Sequence, residues 1–246
     1  MRIRSAAEEF VVRFVLCPPF QVVKLVARLP PFRGARLYAD LGEDVLALTL
    51  DDGPDPKLTL CVLKVLAKHR AHATFFLMGE PARANPETVD AIVAGGHEIA
   101  NHTMRDEGSA KLEKAELLEA LAETHQILTD GRAAPVKLFR PGGGIPGWTG
   151  SVTRIAWNSP QRYTTVLASI YPHDVRIRDE DVIVRGVLRR ARPGAIIALH
   201  EGTTPRRQPN RKRIVDMLDA ILCDLRARQR PFEVVTASEL LARAKP

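Results

Sequence analysis

Cysteine and aromatic residues are scarce in this sequence. Its three cysteines, Cys17, Cys61 and Cys223, lie far apart, and no pair has the CxxC spacing. An odd, dispersed set argues against a disulfide framework or a cysteine-based zinc site and is compatible with a reducing compartment. Aromatic residues make up only 5% of the chain, and no stretch alternates them with lysine and arginine as single-strand nucleic-acid platforms do. We therefore expect no nucleic-acid partner.

Long uninterrupted hydrophobic runs are also missing. Residues 1–32 contain apolar clusters, but Glu8, Glu9 and Arg13 precede or interrupt them and Pro18-Pro19 breaks them. Such a segment is too short and too charged to span a bilayer, and no cleavage pattern follows it. We expect no cleavable signal peptide and a cytoplasmic or peripheral membrane location. We predict that residues 1–40 form an amphipathic extension, which either packs on the domain or contacts a membrane surface.

The remaining composition suits one folded domain over residues 41–246. Apolar residues make up 45% of the 246-residue chain, enough for one core. The excess of 36 lysines and arginines over 29 acidic residues gives a net charge of +7, which suits an anionic partner without identifying one. Strand-like and helix-like segments alternate with short links, so we predict an α/β domain with a parallel sheet. The predicted strands are Leu46–Leu50, Ala73–Met78, His97–Ala100, Val136–Phe139, Val166–Ile170, Ala195–Leu199 and Phe232–Val235, and the clearest predicted helices are Leu58–His69, Pro86–Ala94, Leu112–Thr129 and Arg213–Arg228.

Polar side chains follow several of these predicted strands. Asp51 and Asp52 come directly after an apolar strand and precede Gly53-Pro54, a pair that favours a tight turn. Taken alone, Asp-Asp-Gly-Pro is equally well explained as ordinary turn chemistry. A parallel α/β fold collects the carboxyl ends of its strands at one face, so several such residues together predict a site. The others are His102, Asp106, Arg140, Asp174 and His200.

The spacing of His102 and Asp106 suggests a metal site. Residues four apart on a helix lie on one face, so both side chains could reach one ion if this turn is helical. The alternative is a histidine at a helix start followed by an incidental aspartate.

These residues lie in motifs that resemble those of a known family. The segments LTLDDGPDP, GHEIANHTMRD, FRPGGG, YPHD and ALH occur in the order and spacing of the five motifs of the polysaccharide deacetylases. This is also called the NodB-homology family, or carbohydrate esterase family 4. The resemblance runs from about Val45 to the C-terminus. It implies a distorted (β/α) barrel and a divalent metal, usually zinc, used to remove N- or O-acetyl groups from sugars.

The resemblance implies a role for each motif residue. Asp51 resembles the general base, and Asp52 and His102 resemble metal ligands. Arg140 resembles the residue that orients the base. His200 resembles the general acid, and Asp174 resembles the carboxylate that pairs with it. Substrate contacts are assigned to backbone N–H groups and to pocket side chains, namely Gly142, Gly143, Trp148 and Tyr171.

Three motifs depart from the family pattern. Asp106 stands where the second motif usually ends in histidine, and a site with two aspartates and one histidine would still bind zinc while tolerating cobalt or manganese. Glu107 is an adjacent candidate if this turn is irregular. The segment RPGGG lacks the usual aromatic residue, for which Trp148 is the candidate replacement. No tryptophan follows Asp174, and His173 is a candidate extra ligand or pocket residue.

Two other interpretations have some support in the sequence. Gly142, Gly144 and Gly147 have the GxGxxG spacing of a dinucleotide site, but Pro146 would disturb the helix that must start there. The second interpretation is a catalytically silent glycan-binding module on the same fold. Such a module needs neither Asp51 nor His200, so the presence of both argues against it.

The basic run 206–213, RRQPNRKR, is either a solvated surface or a groove wall for acidic glycans. We therefore expect a metal-dependent N-deacetylase with a GlcNAc-containing carbohydrate substrate.

Overall fold

The protein is described here by a computed structural model that covers residues 20–29, 32, 34–144, 150–177, 179–201 and 211–244. Strands and helices alternate along most of the chain, as predicted. The strands are β1 (Val45–Gly53), β2 (Ala73–Leu77), β3 (Glu98–Asn101), β4 (Leu138–Phe139), β5 (Thr164–Thr165), β6 (Ile196–His200) and β7 (Glu233–Val235). The α-helices are α1 (Phe20–Val26), α2 (Leu58–His69), α3 (Gly79–Ala84), α4 (Pro86–Ala94), α5 (Lys114–Thr129), α6 (Ser151–Trp157), α7 (Glu180–Leu188), α8 (Arg211–Ala227) and α9 (Ala237–Arg243).

All strand pairs in the sheet are parallel. The strand order is β5-β4-β3-β2-β1-β6, and β7 pairs with the first residues of β1. Parallel neighbours require crossover connections, and the helices supply most of them. Beyond β5, Ile170 forms a parallel bridge with Ile197 of β6, so the two ends of the sheet approach each other. The predicted distorted α/β barrel is therefore confirmed.

The core lies on both faces of the central strands. Every residue of β1 and β2 is buried. Successive side chains of a strand point to opposite faces, so Leu46, Leu48 and Leu50 pack into one hydrophobic cluster while Val45 and Ala47 pack into another. Burial on both faces explains why β1 is a near-continuous apolar run in the sequence. It also places the carboxyl end of β1 at the centre of one rim.

The structure agrees with most predicted elements and corrects one strand. Helices α2 and α4 have the predicted bounds. The predicted strand Val166–Ile170 is wrong, because β5 lies earlier and residues 166–170 make only isolated bridges. Val166 bridges Arg36 while Ile170 bridges Ile197, so the two ends of this segment pair with different neighbours and cannot form one ladder.

Residues preceding the barrel contribute a short helix and a loop to its surface. Val23 of α1 packs with Leu37 and Leu167 in a small hydrophobic cluster of their own. The division of the chain at residue 40 stays a prediction. Across the described ranges, none of the helices combines the length and apolarity needed to cross a membrane.

Candidate active site

The two adjacent aspartates lie at a bulge at the carboxyl end of β1. Asp51 pairs with Phe76 of β2 and Gly53 pairs with Leu77, so Asp52 is the extra residue. Its φ of 71° is in the left-handed region, which aspartate tolerates better than most side chains. In a regular strand the two side chains would point to opposite faces. With the bulge, both carboxylates border the same cavity.

Arg140 holds Asp51 in a buried ion pair. Its Nη1 donates to Asp51 Oδ1 at 2.6 Å and to Thr49 Oγ1 at 2.7 Å. The guanidinium also donates from Nε to the Val166 carbonyl at 3.0 Å and lies over the Phe76 ring, 4.1 Å from its centroid. Asp51 and Arg140 are only 2% and 3% exposed. Contacts on several sides of the guanidinium leave it little freedom, so it fixes the direction of the Asp51 carboxylate.

Asp52 and His102 converge at the same rim. Asp52 Oδ1 lies 3.3 Å from His102 Nε2, and His102 Nδ1 lies 2.7 Å from the Arg140 carbonyl oxygen. A carbonyl can only accept, so Nδ1 carries a hydrogen and Nε2 faces Asp52. Burial opposes protonation of His102, but the hydrogen bond to Asp52 and the charges of both aspartates outweigh it and raise the His102 pKa. The pair places a carboxylate oxygen and an imidazole nitrogen 3.3 Å apart at the cavity, and both are atom types that metal ions bind.

Asp106 does not lie on a helix with His102. Residues 104–107 form bends, and Thr103 has a φ of 64°. Asp106 is exposed and lines the same cavity. Within the part of the chain that the structure describes, no three His, Cys, Asp or Glu side chains are grouped closely enough to hold a metal ion. Two of the three predicted ligands are therefore brought together, and the role of Asp106 stays a prediction.

His200 and Asp174 form a second buried pair. The Nδ1 hydrogen of His200 is donated to Asp174 Oδ1 at 2.8 Å, and its backbone N–H is donated to Asp174 Oδ2 at 2.8 Å. Burial acts to lower the His200 pKa, but the Asp174 carboxylate, helped by Asp51 and Asp52, raises it to about 9. The other ring nitrogen, Nε2, lies 3.2 Å from the Tyr171 hydroxyl. Both His200 and Tyr171 line the cavity.

One residue of the Asp51–Arg140 pair and one of the His200–Asp174 pair lie side by side on neighbouring strands. Asp51 of β1 is in register with His200 of β6. One cavity of about 580 Å³ is lined by Asp51, Asp52, His102, Arg140 and His200 together. The predicted collection of polar residues at one rim is what the structure shows for these five.

The glycine-rich segment has a structural role as well as a place at the site. The Gly142 N–H donates to Ser109 Oγ at 2.8 Å, and the Glu107 carbonyl lies where a Cβ of residue 142 would be. That N–H is therefore engaged within the protein and is not available to a substrate. Gly143, with a φ of 75°, is exposed and lines the cavity. Trp148 lies outside the described residues, as does most of the basic run 206–213.

Two buried neighbours of the site residues were not found from the sequence. Thr49 precedes Asp51 by two residues on β1, so the two side chains lie on the same face of the sheet. This spacing was the signal that could have predicted the contact of Thr49 with Arg140.

Glu201 follows His200 and is completely buried against Gly53, leaving no space for a Cβ there. Burial, with the charges of Asp55 and Asp52, outweighs a contact with the Thr59 hydroxyl and raises the Glu201 pKa to about 8. No local pattern indicates that burial.

The sequence of this chain is similar to those of known deacetylases. The family model described as polysaccharide deacetylase matches residues 38–160. A chitooligosaccharide deacetylase from Bradyrhizobium sp. (strain ANU 289) is 38% identical over 179 residues, which are 72% of this chain and 80% of that relative. A peptidoglycan-N-acetylglucosamine deacetylase from Bacillus cereus (strain ATCC 14579) is 34% identical over 201 residues, covering 81% of this chain and 89% of the relative.

A solved structure gives a similar result. The Bc1960 peptidoglycan N-acetylglucosamine deacetylase, in complex with 4-naphthalen-1-yl-N-oxidanyl-benzamide, superposes with a TM-score of 0.75 at 29% sequence identity. The match covers 92% of this chain and 98% of that chain. The likeness therefore extends over almost the whole length of both proteins.

Proposed function

The chain belongs to the polysaccharide deacetylase family, and from this premise we propose that it is a metal-dependent hydrolase that removes N-acetyl groups from a GlcNAc-containing polysaccharide or glycoconjugate. The observation that carries the proposal is the pairing of Asp51 with Arg140 and of His200 with Asp174, with Asp51 and His200 lining one cavity. One pair supplies a base and the other an acid, as amide hydrolysis requires. Net reaction of the amide with water gives a free amine and acetate.

The family implies a divalent metal ion, and the pair Asp52 and His102 fits one. Both side chains are buried, their ligand atoms lie 3.3 Å apart, and the Arg140 carbonyl fixes the histidine tautomer. Asp106 on the exposed wall would be the third ligand. A set of one histidine and two carboxylates suits zinc and tolerates manganese or cobalt. A bound ion of this kind would polarise the amide carbonyl and acidify the attacking water.

Asp51 takes the proton of the attacking water in this proposal. The carboxylate borders the cavity, and Arg140 holds Oδ1 at 2.6 Å, so its orientation is set before substrate arrives. A base that is already oriented loses less freedom in the transition state. Arg140 is a positioning residue, because it acts through Asp51.

His200 donates a proton to the leaving amine. Asp174 accepts the Nδ1 hydrogen, so the proton that is transferred is the one on Nε2, which is the nitrogen near Tyr171. A pKa of about 9 keeps His200 protonated at neutral pH, so the acid is charged before the reaction begins. Tyr171 lines the cavity beside this nitrogen and is proposed to contact the substrate. For the oxyanion, Gly143 is the remaining backbone candidate, since the Gly142 N–H is engaged.

Acetate release from chitooligosaccharides tests the proposal. Protein treated with a chelator is assayed alone and after addition of zinc, cobalt or manganese. We expect no release without metal and restored release with at least one of the three ions. A His102→Ala variant should fail to recover with any ion, since it lacks the nitrogen ligand. Release that is indifferent to both chelator and metal would contradict the metal dependence, and no release under any condition would contradict the activity.

A further inference from the structure

The cavity at the proposed reaction centre continues into an apolar chamber that removal of an acetyl group does not need. Its walls are Val23, Val26, Phe32, Leu37 and Leu167, which line the same cavity as the two aspartates. Three of these side chains are almost completely buried, at 4%, 6% and 5% exposed for Val23, Leu37 and Leu167. An acetyl group has a single methyl beyond its carbonyl. We call the space bounded by these five residues the apolar chamber.

Leu167 connects the apolar chamber directly to the reaction centre. Its carbonyl accepts a hydrogen bond from Arg140 Nη2 at 3.4 Å, and its N–H donates to the Arg36 carbonyl at 2.8 Å. Arg140 also holds Asp51. The backbone of one chamber residue and the proposed base are thus held by the same guanidinium, so the chamber adjoins the Asp51–Arg140 pair.

The two ends of the cavity differ in polarity and exposure. Asp106, Gly143 and Arg176 line it and are exposed, which marks the open and polar mouth. A sugar that continues into a chain is large and polar, so it must occupy that mouth. The acyl group is bonded to the reacting carbon on the other side of the amide. It is therefore the part of the substrate that points towards the apolar chamber.

The chamber is built largely by residues outside the segment shared with the family model. Four of its five walls lie between residues 23 and 37, whereas the model matches residues 38–160. The whole cavity of about 580 Å³, polar mouth and apolar chamber together, is within the range of small-molecule sites. Residues outside the segment that the family model matches can change substrate specificity while the residues that perform the reaction stay the same.

We propose that the apolar chamber binds the aliphatic chain of an N-acyl group longer than acetyl, so that the preferred substrate is a glucosamine unit with a medium-length N-acyl chain. This rests on the proposed function, because the same groups perform the reaction. Water adds to the acyl carbon, the C–N bond breaks, the amine leaves with a proton from His200, and the fatty acid is released as its carboxylate. The chain stays in the apolar chamber while the sugar leaves through the mouth.

A series of chitooligosaccharides that carry N-acetyl, N-butanoyl or N-hexanoyl groups tests this inference. The measurement is kcat/KM from the appearance of free amine, with metal-loaded protein. Each methylene transferred from water to an apolar site contributes about 0.8 kcal/mol, or about fourfold. We expect the hexanoyl substrate to exceed the acetyl substrate by at least about tenfold, allowing for imperfect burial.

Two variants of the walls and one control sharpen the test. Val26→Trp fills the apolar chamber and should lower the hexanoyl-to-acetyl ratio of kcat/KM by about tenfold or more. Phe32→Ala adds space and should shift the preference to longer chains, which keeps the test decisive if the larger tryptophan prevents folding. Leu25→Trp is the matched control, because Leu25 lies on the same helix but is 61% exposed. It should leave the ratio unchanged.

The outcomes separate this inference from the proposed function. Hydrolysis of the acetyl substrate with no gain for longer chains would overturn the inference and leave the function standing. A gain for an octyl glycoside of N-acetylglucosamine, in place of longer N-acyl chains, would assign the chamber to an aglycone and also overturn it. No hydrolysis of any N-acyl substrate would overturn both.

Discussion

Glu201 lies completely buried against Gly53, and replacing it with glutamine should stabilise the metal-free protein more as the pH rises. Burial raises the Glu201 pKa from 4.5 to about 8, so the folded protein keeps this proton over a range in which the unfolded chain loses it. A raised carboxyl pKa contributes stability that is complete below 4.5 and is lost as the pH rises through about 8. Glutamine stays neutral at every pH, so the variant loses no stability over this range.

The size of the effect follows from the shift. Each pH unit between the two pKa values costs the wild-type protein about 1.4 kcal/mol relative to the glutamine variant. At pH 7 the difference should approach about 3 kcal/mol as an upper limit, since relaxation around a buried carboxylate lowers its cost. Near pH 4.5 the difference should be small.

Urea unfolding of chelator-treated protein at several pH values measures this difference. The free energy of unfolding of Glu201→Gln minus that of wild type is plotted against pH. Glu119→Gln, at an exposed position of α5, is the control and should show little pH dependence. A difference for Glu201→Gln that is flat, or that falls as the pH rises, would refute the reasoning.

Three further predictions concern the ion pairs and the metal ligands. Arg140→Ala should destabilise the protein by about 3–5 kcal/mol in urea unfolding, because it leaves Asp51 buried without its partner; a loss under about 1 kcal/mol would show that the pair is solvated. Asp174→Asn should lower the pKa of His200 from about 9, so the alkaline limb of the kcat/KM profile should move to lower pH; an unmoved limb would assign it to another group. Zinc should raise the melting temperature of the chelator-treated wild type and not that of His102→Ala, and equal shifts would place the metal elsewhere.

Much of the fold could be predicted because its strands are unusually apolar. The run ending at Leu50 predicted a strand buried on both faces, and β1 is buried at every position. Polar residues directly after such runs therefore had to lie at one rim, which is why Asp51, Arg140 and His200 were found together. The prediction of a strand over residues 166–170 was wrong because apolar content alone does not show that the two ends of this segment pair with different neighbours.

Other parts of the site depend on contacts that local sequence does not encode. The bulge at Asp52 is defined by its register with β2, while the sequence pattern indicated only a turn after the aspartates. The engagement of the Gly142 N–H depends on Ser109, 33 residues away. The apolar chamber joins Val23 to Leu167 across most of the chain. Such pairings arise only when the barrel closes.

The measurement that tests the central claim most directly is acetate release by Asp51→Asn, compared with wild type and with Asp181→Asn, whose side chain is 83% exposed. Asparagine keeps the shape of the side chain but cannot take a proton from water. The account predicts that Asp51→Asn keeps the zinc-induced thermal shift while acetate release falls by about a hundredfold or more, as expected for loss of a general base. Asp181→Asn should match wild type. Release by Asp51→Asn close to the wild-type rate would contradict the assignment of Asp51 as the base.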